Sequence, residues 1–210
     1  MLSADEIVDL HDQRTHLWHQ TPEGGAETAQ DAETAQVDWL DTVARQHRAN
    51  FDLWHIEDEA RTPGATDTEL AGVKRRVDRT NQLRNDLAEE LDRALLGWLQ
   101  QMALPNPEAP LHSESAGLIV DRLSILALKI YHTREETQRA NAPLGHADRN
   151  LDRLGILEEQ RADLAACLDA LWNETLNGTR RFKLYRQLKM YNDSSLNPAI
   201  YRKPLKKQGS

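Results

Sequence analysis

Two pairs of carboxylates on neighbouring predicted helices could together bind one metal ion. Glu89 and Asp92 stand three positions apart, so both side chains leave the same face of a predicted helix. Glu57 and Asp58 supply two more acids on the preceding predicted helix. Oxygen ligands on facing helices suit hard divalent cations. These four residues are therefore the predicted metal site, with Mg²⁺ or Mn²⁺ as the cofactor.

Titratable residues also occupy positions of the predicted fourth helix that should face the core. Asp121 and His132 lie on one stripe of that helix among leucine and isoleucine. Lys129 lies between them in the sequence of the same helix. Burying an unpaired charge is costly, so such groups are expected to meet partners or a ligand. We predict Asp121, Lys129 and His132 as catalytic residues. The predicted substrate-binding cations are Arg84, Arg122, Arg161, Lys183 and Arg186.

Two other interpretations of these residues stay open. Histidine and carboxylate could together ligate zinc or iron, with His55, Glu57 and Asp58 facing His132 and Asp121. Alternatively, the charges pair only with one another, and the chain is a non-catalytic scaffold or regulator with a structural salt-bridge network. The sequence contains no P-loop, no Gly-x-Gly-x-x-Gly, no Cys-x-x-Cys and no Gly-x-Ser-x-Gly. Binding of nucleotide by a glycine loop and hydrolysis by an elbow serine are therefore disfavoured.

The elements that must position these residues are predicted to be helices. Capping signals at Ser3 and Thr66 precede amphipathic stretches, and Asn177-Gly178 is typical of a helix end. The predicted fold is all-α, an antiparallel bundle of five long helices with a short C-terminal helix and an extended tail. The five helices are predicted at about 4–20, 33–61, 67–102, 113–141 and 146–176, and the short one at 180–191. The predicted units are an N-terminal helix and polar loop (1–36), the bundle (37–191) and a basic tail packed on it (192–210).

Charge is unevenly distributed along the chain. The formal net charge is -8, yet the residues from Arg180 onward hold nine Lys/Arg and one acid. We expect this basic segment to dock on the acidic body, which makes nucleic acid an unlikely partner. Arg161 interrupts a stripe of leucines, and it is expected to bond a carboxylate of another helix.

Three further sequence features bear on where in the cell the protein is located. Cys167 is its one cysteine, the N-terminus lacks the pattern of a signal peptide, and no apolar stretch is long enough for a membrane span. A cytoplasmic location and no membrane partner are predicted. A small anionic substrate and a homodimer remain open.

Several segments resemble a bacterial family of uncharacterised proteins, domain of unknown function number 4254. The matching stretches are Asn50-Phe-Asp-Leu-Trp-His-Ile-Glu-Asp-Glu-Ala-Arg61, Asp78-Arg-Thr-Asn-Gln-Leu-Arg-Asn-Asp86, His112-Ser-Glu-Ser115, Asp121-Arg-Leu-Ser-Ile-Leu-Ala-Leu-Lys-Ile-Tyr-His132, Glu159-Gln-Arg161 and Lys189-Met-Tyr-Asn-Asp193. The likeness covers roughly residues 45–202 and implies an intact helical domain, but it implies no chemistry.

A second resemblance is to the all-α nucleoside triphosphate pyrophosphohydrolases. These hold Mg²⁺ with Glu-x-x-Glu followed by Glu-x-x-Asp, and Glu89-Glu-Leu-Asp92 is similar to the second element. The first element departs from the pattern, because Ala60 stands where an acid should follow Glu57. The resemblance implies a metal-assisted hydrolase acting on a small phosphorylated or nucleotide-like substrate.

Overall fold

The protein folds into five α-helices. A computed structural model describes residues 2–21, 39–188 and 195–198. The helices are α1 (Ala4–Gln20), α2 (Trp39–Glu59), α3 (Asp67–Gln100), α4 (Ala116–Thr137) and α5 (His146–Leu176). Within the described ranges there is no strand, only an isolated parallel bridge between Leu111 and Arg181. The all-α prediction is confirmed, whereas the division into three units stays a prediction.

Local capping explains where these helices begin. The Ser3 side chain accepts a hydrogen bond from the backbone of Glu6 at the start of α1. Thr66 and Glu69 form a reciprocal capping box at the start of α3. Ser115 caps α4 in the same way. Each cap satisfies backbone donors that the first helical turn leaves free, so the sequence signals located these starts well.

Three of the helices run in the same direction. Thr15 of α1 contacts His47 of α2, and His19, one turn further along α1, contacts His55 further along α2. The same order relates α2 to α4, because His47 bonds Ser124 whereas Trp54 stacks on His132. Hence α1, α2 and α4 are parallel, and their C-terminal ends lie together.

The other two helices run the opposite way. Arg45 near the start of α2 pairs with Glu90 near the end of α3, and Glu59 at the end of α2 pairs with Arg76. For α5, Asp169 accepts from the backbone of Ala4, whereas the earlier Arg161 reaches the later Asp12 of α1. The parallel α1–α2 pair departs from the predicted antiparallel neighbour packing. The connection between these two helices, residues 22–38, lies outside the described residues.

The apolar core occupies the end of the molecule where α1, α2 and α4 begin. It is a cluster of buried leucine, isoleucine, valine, alanine and aromatic side chains that includes Ile7, Leu91, Ile119, Leu168 and Phe182. Burial of each large side chain stabilises the fold by roughly 1.5–3 kcal/mol. Toward the other end, the space between the three parallel helices is filled by histidine, other aromatic and hydrogen-bonding side chains.

The predicted short C-terminal helix is wrong over the residues described. Residues 180–188 are extended. The Arg181 backbone donates to the Pro110 carbonyl at 3.1 Å and accepts from the His112 N–H at 2.7 Å. Phe182 is inserted into the core, whereas Leu188, part of the expected apolar seam, is 77% exposed. The predicted helix fails because these backbone groups pair with a neighbouring segment instead of with each other. Residues 189–191 and most of the predicted tail lie outside the described ranges.

Candidate metal centre

Two polar clusters lie between the parallel helices, and the first is a hydrogen-bonded chain. This Asp121 network consists of Thr15, Gln46, His47, Asn50, Arg84, Asp121 and Ser124. His47 Nε2 lies 2.9 Å from Thr15 Oγ1, and His47 Nδ1 lies 2.7 Å from Ser124 Oγ. The Asn50 amide donates to Ser124 Oγ at 2.9 Å and to the Asp121 carboxylate at 3.0 Å. Both imidazole nitrogens of His47 are therefore occupied by protein groups.

The carboxylate of the network is held in the same way. Asp121 Oδ1 accepts from Gln46 and Asn50 and lies 3.7 Å from Arg84 Nε. Burial raises the pKa of Asp121, and the Arg84 charge and the two amide bonds act against that rise. Burial also lowers the pKa of His47 to about 3. His47 is therefore neutral at pH 7, and the network consists mainly of neutral groups around one carboxylate.

The second cluster is formed by three histidines, one from each parallel helix. One ring nitrogen from each of His19, His55 and His132 can be chosen so that all three atoms lie within 4.8 Å of one another. Among the described histidines, cysteines and acids, this is the one group of three so arranged. We call it the three-histidine cluster.

The hydrogen bonds around the cluster fix which nitrogen of two rings is free. His19 Nδ1 lies 2.7 Å from the Thr15 carbonyl oxygen, and His132 Nδ1 lies 2.8 Å from a Glu135 carboxylate oxygen. Both oxygens can only accept, so each Nδ1 carries the proton and each Nε2 keeps a lone pair. Both Nε2 atoms are buried, and within the described part of the chain neither has a hydrogen-bond partner. Histidines that bind metals are typically arranged in this way, with the second nitrogen donating to a carbonyl or carboxylate.

Electrostatics at this position favour a cation. Burial lowers the pKa of both His19 and His55, and each is lowered further by neighbouring histidines. Imidazole must be neutral to bind a metal, so this depression suits ligation at pH 7. His19 is in the last turn of α1, and the cluster lies toward the C-terminal ends of α1, α2 and α4. The C-terminus of a helix carries roughly half a negative charge, so three helix ends attract a positive ion.

Aromatic rings surround the three-histidine cluster. Tyr131 stacks on His19 with ring centres 4.2 Å apart, and Trp54 stacks on His132 at 4.9 Å. Phe51 meets His55 edge-on at 4.5 Å. Packing against rigid rings restricts the imidazole orientations and limits access of water.

A cleft between α1 and α4 borders the cluster. It has a volume of about 510 Å³, and its lining includes Thr15, Tyr131 and Glu135, each of which contacts one of the clustered histidines. Arg134 also lines it. Small-molecule sites commonly occupy roughly 300–1,000 Å³, so this cleft could admit a small substrate.

The four acids predicted as metal ligands are not gathered together. Glu57 bonds Arg61, which lies in the turn directly after α2. Because Arg45 lies opposite Glu90, Glu57 is about 18 Å along α2 from the level of Glu89 and Asp92, at 1.5 Å per residue. A single ion cannot bridge that separation.

The other acids of that prediction have protein partners or lie on the surface. Asp92 is buried and accepts from the Gly117 N–H at 2.7 Å, so it caps the start of α4. Glu89 accepts from the Gln187 backbone. Asp58 is exposed. The contacts of Asp92 and Glu89 and the exposure of Asp58 account for these acids without a bound metal ion.

The predicted catalytic residues diverge as well. Asp121 belongs to the Asp121 network, His132 to the three-histidine cluster, and Lys129 lines a separate groove between α4 and α5 with Arg122. Asp121 and His132 are eleven residues apart on one helix, or about 16 Å. The structure therefore brings only His132 to the candidate metal centre.

The predicted substrate-binding cations are equally dispersed. Arg84 faces Asp121, and Arg161 bonds Asp12 of α1 at 2.8 Å, as expected of a partner from another helix. Arg161 is partly buried, not fully enclosed. Lys183 and Arg186 are exposed on the C-terminal segment, which contacts the body through buried Phe182 and through the Gln187 backbone.

His19 is the member of the three-histidine cluster that the sequence analysis did not single out. His11, Thr15 and His19 recur at every fourth position of α1, which places polar groups on one helical face. All three contact the interior. That spacing is the signal that could have found the third histidine.

The fold and the cluster define an all-helical protein with a candidate three-histidine metal centre at the ends of parallel helices. The chain belongs to the family described as protein of unknown function (DUF4254), whose model matches residues 40–184. The family resemblance noted from the sequence is thereby confirmed. No curated protein and no solved structure matches the chain. The described helices are all too short or too polar to cross a membrane.

Proposed function

We propose that this protein is a metal-assisted hydrolase whose ion is bound by His19, His55 and His132. The observation that supports the proposal is the pair of buried, unpartnered Nε2 atoms on His19 and His132, with each Nδ1 held by an acceptor. Leaving a buried polar atom without a partner costs about 1–3 kcal/mol, so two such atoms on histidines of one cluster favour a ligand there.

Zn²⁺ is the ion we propose in place of the expected Mg²⁺ or Mn²⁺. Imidazole nitrogen suits zinc and the later transition metals, whereas magnesium and manganese favour oxygen. Three protein ligands leave a fourth position of a tetrahedral ion free for water, which a bound zinc ion can acidify to a pKa of about 7. The supporting roles fall to Thr15 and Glu135, which hold the Nδ1 protons and so orient the rings of His19 and His132.

The substrate class we propose is a small phosphorylated compound entering through the cleft between α1 and α4. The cleft is bordered by residues that contact the clustered histidines, and Arg134 supplies a cation in its lining. Exposed ion pairs are weak, so Arg134, which bonds Glu158 at the surface, can be recruited by an anionic group.

The alternative function is a non-catalytic scaffold, and the Asp121 network favours it. That network bonds its own members across four helices, as a purely structural device would. In this alternative the three histidines only pack against the aromatic rings, and no ion binds.

Hydrolysis of p-nitrophenyl phosphate and bis(p-nitrophenyl) phosphate tests the proposal. We expect activity in Zn²⁺-loaded protein, loss after chelation, and loss in His132→Phe. Asp9→Asn, at an exposed position of α1 outside the cleft, should keep the metal-dependent rate per bound ion. Equal rates with and without Zn²⁺, or an active His132→Phe, would contradict the proposal. A protein that binds Zn²⁺ but hydrolyses neither ester would contradict the hydrolase and leave the ion a structural role. A protein that binds no Zn²⁺ would support the scaffold alternative.

A further inference from the structure

A groove between α4 and α5 lies on a different side of α4 from the three-histidine cluster. Its volume is about 740 Å³, within the range of small-molecule sites. Residues of α4 from Ile119 to Lys129 line one side, which corresponds to a length of about 15 Å. The groove shares no lining residue with the cleft beside the metal centre.

The floor of this groove is apolar. Ile119, Ile125, Leu126 and Leu164 line it, and Ile119 and Leu164 are also part of the hydrophobic core. The apolar surface left open to water belongs mainly to Ile125 and Leu126, which are partly buried, and an aliphatic ligand would cover it.

One cation on the rim of the groove is uncommitted. Arg122 also lines the groove, but it makes two bonds to the Glu114 carboxylate, at 2.8 and 3.0 Å. Lys129 is exposed and forms no ion pair with the described residues. A single free ammonium beside an apolar floor complements a head group with one negative charge.

We propose that this groove binds an aliphatic carboxylate. The carboxylate lies on Lys129, and the hydrocarbon chain follows the isoleucine and leucine side chains toward Ile119. A phosphate dianion fits less well, because Glu114 and Asp163 place two negative charges in the lining. This site is independent of the proposed metal centre.

The one cysteine of the chain provides a probe of occupancy. Cys167 is exposed and lines the groove, so a bound ligand should shield its thiol. The probes are decanoate, decanol and butyrate, and the readout is the rate of alkylation of Cys167 by N-ethylmaleimide. Decanoate at ten times its Kd should slow alkylation by about tenfold, because about one site in eleven remains free.

In Lys129→Gln, the decanoate concentration needed for the same protection of Cys167 should rise by about tenfold or more, since a charge-assisted hydrogen bond is lost. Lys129→Arg should restore it, and Lys74→Gln on α3 is the matched surface control and should behave as wild type. Decanol and butyrate should protect poorly, because each lacks one half of the recognition. His132→Phe should be protected normally, which separates this site from the proposed hydrolase. No protection by decanoate, equal protection by decanol, or undiminished protection in Lys129→Gln would overturn the proposal.

Discussion

The Asp121 network and the three-histidine cluster occupy the same seam between parallel helices, yet they treat their histidines differently. In the network, both nitrogens of His47 meet side-chain hydroxyls. In the cluster, His19 and His132 each have one nitrogen held and the other buried without a partner in the described chain. A buried polar group is normally satisfied by protein or by a ligand. From this contrast we propose that the network stabilises the fold, whereas the cluster binds an ion.

His47→Leu should produce the largest loss of stability. It removes the partner of two buried hydroxyls, on Thr15 and Ser124, and we expect the free energy of unfolding to fall by about 2–4 kcal/mol. Urea unfolding followed by circular dichroism measures this loss. His16→Leu, at an exposed position of α1, should change stability by no more than about 0.5 kcal/mol. A His47→Leu variant as stable as wild type would remove the distinction between the two clusters.

Zn²⁺ should stabilise the wild-type protein strongly and His132→Phe not at all. At one hundred times its Kd, the ion adds about 2.7 kcal/mol. For a chain of this size that corresponds to a rise in Tm of about 5–10 °C. Without metal, His132→Phe should lie within about 1 kcal/mol of wild type, because phenylalanine can keep the stack on Trp54. An equal rise in both proteins would place the ion elsewhere.

The stability of the network should depend on pH in a predictable direction. Burial lowers the folded-state pKa of His47 from 6.5 to about 3, so below pH 6.5 the unfolded chain binds a proton that the folded protein excludes. Stability from this group is complete above pH 6.5 and is lost as the pH falls toward 3.

The His47→Leu variant has no imidazole at this position, so its stability lacks the pH-dependent contribution of His47. The difference in unfolding free energy between wild type and variant therefore isolates that contribution. Between pH 7 and pH 5 the stability gap between wild type and His47→Leu should shrink by about 2 kcal/mol, at 1.36 kcal/mol per unit. Urea titrations at the two pH values provide the numbers. A gap that stays constant would show that folding does not lower the pKa of His47.

Glu57→Gln should have the smallest effect. Glu57 bonds Arg61 on the same exposed helix end, and surface pairs of this kind contribute about 0.3–0.5 kcal/mol. The Zn²⁺-dependent rise in Tm should be unchanged. Loss of that rise would restore Glu57 as a ligand and argue for the carboxylate site predicted from the sequence.

The sequence predicted where helices begin better than it predicted which segments pack against one another. Ser3, Thr66 and Ser115 mark helix starts because capping is a local interaction between residues three apart. The helix expected after residue 180 did not form because its backbone pairs with residues 110–112, which lie far away in sequence. Such tertiary contacts override local propensity.

The candidate site was only partly predictable for the same reason. His132 was selected from its place on a core-facing stripe, but its assumed companions Asp121 and Lys129 came from the same helix. Ligands that converge come from different helices, and their pairing depends on helix direction. Parallel α1 and α2 bring His19 beside His55, and no pattern in the sequence encodes that direction.

Equilibrium dialysis against Zn²⁺, followed by elemental analysis, tests the central claim most directly. Wild-type protein should retain one ion per chain, and His16→Gln should retain the same amount. Replacing His19, His55 or His132 singly by phenylalanine should each abolish retention, while circular dichroism shows the helices intact. Retention of a full equivalent by any of these three variants, or none by the wild type, would contradict the three-histidine centre.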